Sequence, residues 1–81
     1  MHGRVQGVFF RDSARSAASS RGVAGWVRNA PDGTVEACFE GDEDAVASMV
    51  EWCRRGPSRA QVSRVDVEDV SPEGLGGFEV R

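Results

Sequence analysis

The stretch GWVRNAPDGTVEACFE, residues 25–40, contains two strand-like segments on either side of a turn signal. Residues 25–29 are predicted to form one strand, and residues 34–40, in which apolar and polar side chains alternate, are predicted to form the next. Between them, Ala-Pro-Asp-Gly at residues 30–33 is typical of a β-turn. The stretch therefore predicts a β-hairpin. The side chains expected to face the core are Val35, Ala37 and Phe39.

Helical patterns lie on both sides of this hairpin. Residues 11–21 predict the first helix, because their alanines share one helical face and Gly22 follows where a glycine commonly ends a helix. These alanines are Ala14, Ala17 and Ala18. Residues 41–57 predict a second helix, which Asp42 can cap and which Gly56-Pro57 ends. Its predicted apolar stripe consists of Val46, Met49, Val50 and Cys53.

The complete order of predicted elements is loop, helix, strand, strand, helix, strand, strand. The last two strands are residues 62–70, in which valines alternate with polar residues, and residues 78–81, a short edge strand. Two helices on one face of an antiparallel sheet give a two-layer α+β domain, and this order fits a split βαβ pattern. At 81 residues, the chain is expected to form a single domain over residues 1–81.

The stretch GRVQGVFFR, residues 3–11, combines two glycines with an arginine at the predicted start of the first helix. Gly3 and Gly7 permit backbone turns in which successive N–H groups converge on an anion. A helix N-terminus adds free N–H groups, and the Arg11 guanidinium can bind two phosphate oxygens at once. A cation is unfavourable at this end of a helix, which a bound anion would explain. The stretch predicts a phosphate-sized anion site, with a glycine-rich turn and a surface arginine as the structural alternative.

Residues 3–11, followed by GWVRN at residues 25–29, resemble the two signature motifs of the acylphosphatases, and the resemblance covers nearly the whole chain. It implies a ferredoxin-like sandwich that hydrolyses acyl phosphates to a carboxylate and inorganic phosphate, without a metal or cofactor. It also implies that Arg11 binds the substrate phosphate together with backbone amides, and that Asn29 holds the attacking water. The loop residues that would supply these amides are Val5, Gln6, Gly7, Val8, Phe9 and Phe10.

A first strand is required by this fold ahead of Gly3, where the sequence offers only Met1 and His2. Without that strand, residues 62–70 would lose their main partner and residues 34–40 would expose an unpaired edge. We therefore predict an N-terminally shortened form of the natural product with weak activity. Either its sheet is distorted and its phosphate-binding loop mobile, or another segment fills the gap in a dimer, whereas the unshortened protein would be a monomer.

The segment CRRGPSR, residues 53–59, offers a second phosphate chemistry. Its Cys-x-x-Gly-x-x-Arg spacing resembles the signature loop of cysteine-dependent phosphatases, in which a thiolate attacks phosphorus and Arg59 would hold the oxygens. However, Cys53 lies at the end of the predicted second helix, where the helix dipole opposes a thiolate. A third alternative is a phosphate-binding or regulatory module without turnover, because the fold alone does not assign a function.

Composition excludes several other classes. The net charge of −3 argues against general nucleic-acid binding, which needs a basic face. No apolar run is long enough to span a membrane, and the N-terminus does not resemble a secretory signal. Cys38 and Cys53 do not make a disulfide framework, so free thiols in the cytoplasm are expected. The partners that the acylphosphatase resemblance implies are a small acyl phosphate and inorganic phosphate.

Overall fold

The computed structural model describes residues 1–6, 10–57, 60–69 and 73–81. Its strands and helices follow one another in the predicted order, with one strand added at the start. In chain order they are β1 (His2–Arg4), α1 (Phe10–Arg21), β2 (Ala24–Asn29), β3 (Val35–Glu40), α2 (Glu43–Arg55), β4 (Gln61–Arg64) and β5 (Phe78–Val80).

The predicted hairpin forms the centre of the main sheet. β2 and β3 pair antiparallel along their whole length, from Ala24 opposite Glu40 to Asn29 opposite Val35. On its other side, β2 pairs with β5 in parallel, so the sheet predicted as antiparallel is mixed at this pair. β2 and β5 therefore run in the same direction and end at the same edge of the sheet.

β1 corrects the expectation that residues 62–70 would lack a partner. Although β1 has only three residues, it pairs antiparallel with β4, and β4 ends at Arg64 instead of continuing through residue 69. Met1 and Val35 exchange two backbone hydrogen bonds, of 2.6 and 3.0 Å, and so join β1 to β3. The two hydrogen-bonded parts of the sheet, β4-β1 and β3-β2-β5, are linked through this pair.

Both helices pack against the sheet through the predicted faces. Ala14, Ala17 and Ala18 of α1 are buried, and Gly22 follows α1 with a φ of 68°, the left-handed conformation that glycine adopts readily. In α2, Met49 and Cys53 are fully buried, while Asp42 stands at the N-cap position without a side-chain cap hydrogen bond. The predicted two-layer arrangement of helices on a sheet is thus confirmed. Within the described ranges, no helix has the length and apolar character needed to cross a membrane.

Candidate active site

Four segments meet at one end of the sheet. Gln6 follows β1 there, because β1 runs antiparallel to β3 from Met1 and therefore ends beside the β2–β3 turn. β2 and β5 both end at this edge, with Asn29 and Arg81 as the nearest residues. The first turn of α1, which contains Arg11, completes the set, since Arg11 contacts Arg81. The two residues that the sequence assigns to catalysis are therefore carried to the same end of the molecule.

The predicted phosphate-binding loop is anchored in the core at both ends. Val5 is 1% exposed and Phe10 is 2% exposed, and the Phe10 ring meets the Trp52 ring edge to face at 5.5 Å between centroids. Because both side chains are buried, these residues can offer a ligand only their backbone groups. Gly7, Val8 and Phe9, which the sequence also assigns to the loop, lie outside the described residues.

Arg11 is half-buried on the first turn of α1. Its Nη1 donates a hydrogen bond to the backbone oxygen of Arg81 at 3.1 Å, and the N–H of Arg81 donates to Val27 O on β2 at 2.8 Å. The guanidinium is thus held against the ends of β5 and β2. Among the described residues, no carboxylate forms an ion pair with Arg11, whereas Arg28 and Arg81 are paired with Glu36 and Glu79 respectively. A guanidinium with this placement is suited to an anionic ligand.

Asn29 is the last residue of β2 and is exposed to solvent. Its backbone position is fixed by the ladder pair with Val35 and by the turn that follows, in which Ala30 N donates to Thr34 O at 2.8 Å. A neutral carboxamide both donates and accepts hydrogen bonds, so it can orient a water molecule although it is a poor base. The alternative interpretation is that Asn29 is only the residue before a turn. Asn29 does precede the turn, but this interpretation assigns no role to its exposed side-chain amide.

The turn after Asn29 is stabilised by its own side chains. The Thr34 hydroxyl and the Thr34 N–H both donate to Asp32 Oδ1, at 2.6 and 3.0 Å, and these bonds hold the pKa of the Asp32 carboxyl below its ordinary value. Gly33 N also donates to Ala30 O at 3.2 Å. The turn therefore presents its carbonyl oxygens in fixed positions.

Gln6 has a side-chain contact that the sequence did not predict. Its Nε2 donates to Ala30 O at 2.8 Å and to Thr34 O at 2.9 Å, which ties the residue before Gly7 to the turn after Asn29. The sequence assigned only the backbone of Gln6 to the loop, because nothing local signals a contact across more than twenty residues. The one signal in the sequence is that the polar Gln6 stands between Val5, which is buried, and Gly7.

Known proteins provide a direct comparison for this arrangement. The family model described as acylphosphatase matches residues 1–80. The acylphosphatase of Haloquadratum walsbyi is 58% identical over 79 residues, covering 98% of this chain and 85% of that protein. That of Rubrobacter xylanophilus is 59% identical over 80 residues, covering 98% and 73% respectively. This chain belongs to the acylphosphatase family.

The solved structures agree with the sequence relatives. The structure of an acylphosphatase from Coxiella burnetii matches with a TM-score of 0.95 and 41% identity, covering 99% of this chain and 84% of that chain. The fold and the activity that the sequence motifs implied are therefore confirmed, and this acylphosphatase is a hydrolase of acyl phosphates.

The structure argues against the cysteine-phosphatase alternative. Cys53 is 2% exposed and belongs to the core cluster on the buried face of α2, and this burial raises the pKa of its thiol to about 12. A nucleophilic cysteine needs the opposite shift, because the thiolate is the reactive form. Cys53 is thus a packing residue. Ser58 and Arg59, the end of the proposed signature loop, lie outside the described residues.

Alkylation tests this conclusion. We expect the folded acylphosphatase to retain its turnover after treatment with iodoacetamide at neutral pH, because the Cys53 thiolate is scarcely populated and burial also raises the pKa of Cys38. Mass spectrometry of native and urea-unfolded samples reports which thiols react, and an acyl phosphate assay reports turnover. Loss of turnover in step with modification of Cys53, together with a folded Cys53→Ala variant that has no turnover, would restore the thiolate mechanism.

Proposed function

We propose that Arg11 and backbone N–H groups of residues 5–10 bind the phosphate of an acyl phosphate, while Asn29 orients the attacking water. The observation that carries the proposal is the Arg11 guanidinium, which has no carboxylate ion-pair partner among the described residues and is held by Arg81 O beside the end of β2. The N-terminus of α1 adds free N–H groups and a partial positive charge at the same place.

The chemistry requires little beyond binding and alignment. The leaving group is a carboxylate whose parent acid has a pKa of about 4, so it departs without a general acid. The water oxygen forms a bond to phosphorus as the bond between phosphorus and the acyl oxygen breaks. The electron pair of the broken bond leaves with the carboxylate. One proton of the water passes to a phosphate oxygen, which yields a carboxylate and dihydrogen phosphate.

The rate acceleration then comes from stabilising charge on the phosphoryl oxygens and from orienting the water. Arg11 and the loop amides neutralise charge on the phosphoryl oxygens as the transition state forms, which is the main contribution in phosphoryl transfer. Asn29 holds the water in line with the breaking bond, which removes part of the entropic barrier. The proposed reaction uses no metal or cofactor, because the guanidinium and the backbone amides carry the charge that a metal would otherwise carry.

The setting of the activity is also part of the proposal. We propose that residues 1–81 act as one domain, with a small acyl phosphate as substrate and no nucleic acid as partner. Cys38 and Cys53 are both free thiols in the structure, which suits the reducing conditions of the cytoplasm.

Hydrolysis of benzoyl phosphate and acetyl phosphate in the presence of EDTA tests the proposed function. We expect saturable turnover that EDTA leaves unchanged, with inorganic phosphate as a competitive inhibitor. An Arg11→Ala variant purified in parallel shows whether the activity belongs to this chain or to a contaminant. Phosphate binding without turnover, in a sample shown to be folded by circular dichroism, would instead support a binding module.

A further inference from the structure

We propose that Gln6 is a positioning residue, whose side chain fixes Asn29 relative to the phosphate-binding loop. The inference rests on the proposed function of Asn29 and adds a role for a contact that the reaction itself does not use. Gln6 Nε2 lies 2.8 Å from Ala30 O and 2.9 Å from Thr34 O, and both contacts are partly buried.

The chemistry of these contacts admits one arrangement of the Gln6 carboxamide. Both neighbours are carbonyl oxygens, which only accept hydrogen bonds, so the NH2 group must face them and donate both of its protons. The two acceptors are themselves fixed, since Ala30 O also accepts from Gly33 N at 3.2 Å and Thr34 O from Ala30 N at 2.8 Å. Gln6 therefore binds to a rigid turn, and its own position becomes fixed with respect to that turn.

The hydrogen bonds of Gln6 matter for function because of where the bonded residues lie in the sequence. Gln6 immediately precedes Gly7 of the predicted loop, and Ala30 immediately follows Asn29. Among the described residues, β1 pairs with β4 and is joined to β3 by the hydrogen bonds between Met1 and Val35, so the strand before the loop and the strand that ends at Asn29 are not paired with each other. Gln6 thus connects the residue before the predicted loop to the residue after Asn29. A displacement of about 1 Å between the loop and Asn29 can cost about a hundredfold in rate.

Two substitutions separate the hydrogen bonds from the shape of the side chain. Gln6→Glu keeps the shape but places a carboxylate against two carbonyl oxygens, and Gln6→Met removes the donors without adding charge. We expect both variants to lower kcat for benzoyl phosphate by about tenfold or more, with a much smaller change in phosphate inhibition, because the water is misaligned while Arg11 still binds phosphate. Gln61→Glu makes the same chemical change on exposed β4 and should leave kcat unchanged.

A double-mutant cycle with Asn29→Ala distinguishes positioning from general destabilisation. If Gln6 acts through Asn29, the Gln6→Met substitution should have almost no further effect on kcat once Asn29 is alanine, whereas independent effects would multiply. A Gln6→Met enzyme with wild-type kcat, or one whose full loss persists in the Asn29→Ala background, overturns the inference. If Gln6→Glu does not fold, the neutral Gln6→Met cycle decides alone.

The same kinetic data distinguish a failure of the Gln6 inference from a failure of the proposed function. A wild-type chain without turnover, or an Asn29→Ala variant with wild-type kcat, contradicts the proposed roles themselves. An impaired Asn29→Ala variant beside an unimpaired Gln6→Met variant contradicts only the positioning role of Gln6. Melting temperatures of all variants show whether a lost rate reflects a lost fold.

Discussion

Replacing Arg11 with alanine is expected to lower kcat/KM for benzoyl phosphate by about 10²–10³-fold, the cost typical of removing one donor to developing negative charge. The same change should weaken inhibition by inorganic phosphate by about tenfold or more, because a hydrogen bond from a charged donor contributes about 1.5–3 kcal/mol. One guanidinium serves both the substrate and the product, so the two losses should occur together.

The controls for Arg11 come from its own helix. Arg15 lies one turn further along α1, is exposed, and forms an ion pair with Asp12, so Arg15→Ala removes a similar charge without touching the site. Circular dichroism is needed for Arg11→Ala, since this substitution also removes the bond to Arg81 O. An Arg11→Ala enzyme that is folded and still binds phosphate with wild-type affinity would refute the assignment.

Replacing Asn29 with alanine is expected to lower kcat while leaving inhibition by phosphate almost unchanged. We expect kcat to fall by about a hundredfold, because the attacking water loses its orienting partner. Inhibition by phosphate should change by less than about threefold, which corresponds to less than 1 kcal/mol. Asn29 is exposed at the end of β2, so the substitution should cost little stability. Steady-state kinetics with phosphate as the inhibitor measures both quantities in one series.

Gln61→Ala is the matched control for Asn29→Ala, because it removes an exposed carboxamide from another strand. It should change neither kcat nor phosphate inhibition. If phosphate inhibition falls together with kcat in the Asn29→Ala enzyme, Asn29 contacts the phosphate and its assigned role in holding water is wrong.

Local patterns were sufficient to predict most of the architecture. Alternation along residues 34–40, the Pro-Asp-Gly turn and the alanine face of residues 11–21 identify elements whose signals lie within a few residues of one another. The pairing of β1 with β4 joins residues about sixty positions apart, and the parallel pairing of β2 with β5 about fifty. No local pattern encodes such pairings, so a three-residue β1 could not be recognised and the direction of β5 could not be assigned.

The candidate site divides in the same way. Arg11 and Asn29 could be chosen as candidates because each stands in a distinctive motif and next to a predicted element boundary, and their roles remain predictions. The prediction that Cys53 belongs to the apolar stripe of the second helix was correct, but its full burial depends on the packing of α2 against the sheet. The Gln6 contact could not be predicted, because it depends on the tertiary meeting of the loop after β1 with the turn after β2.

A crystal structure of this acylphosphatase grown with inorganic phosphate tests the central claim most directly. The account predicts one phosphate bound by backbone N–H groups of residues 5–10 and by the Arg11 guanidinium, with the Asn29 side chain on the side from which water would attack. A phosphate bound around residues 53–59 instead, or one in the loop that Arg11 does not touch, would contradict it.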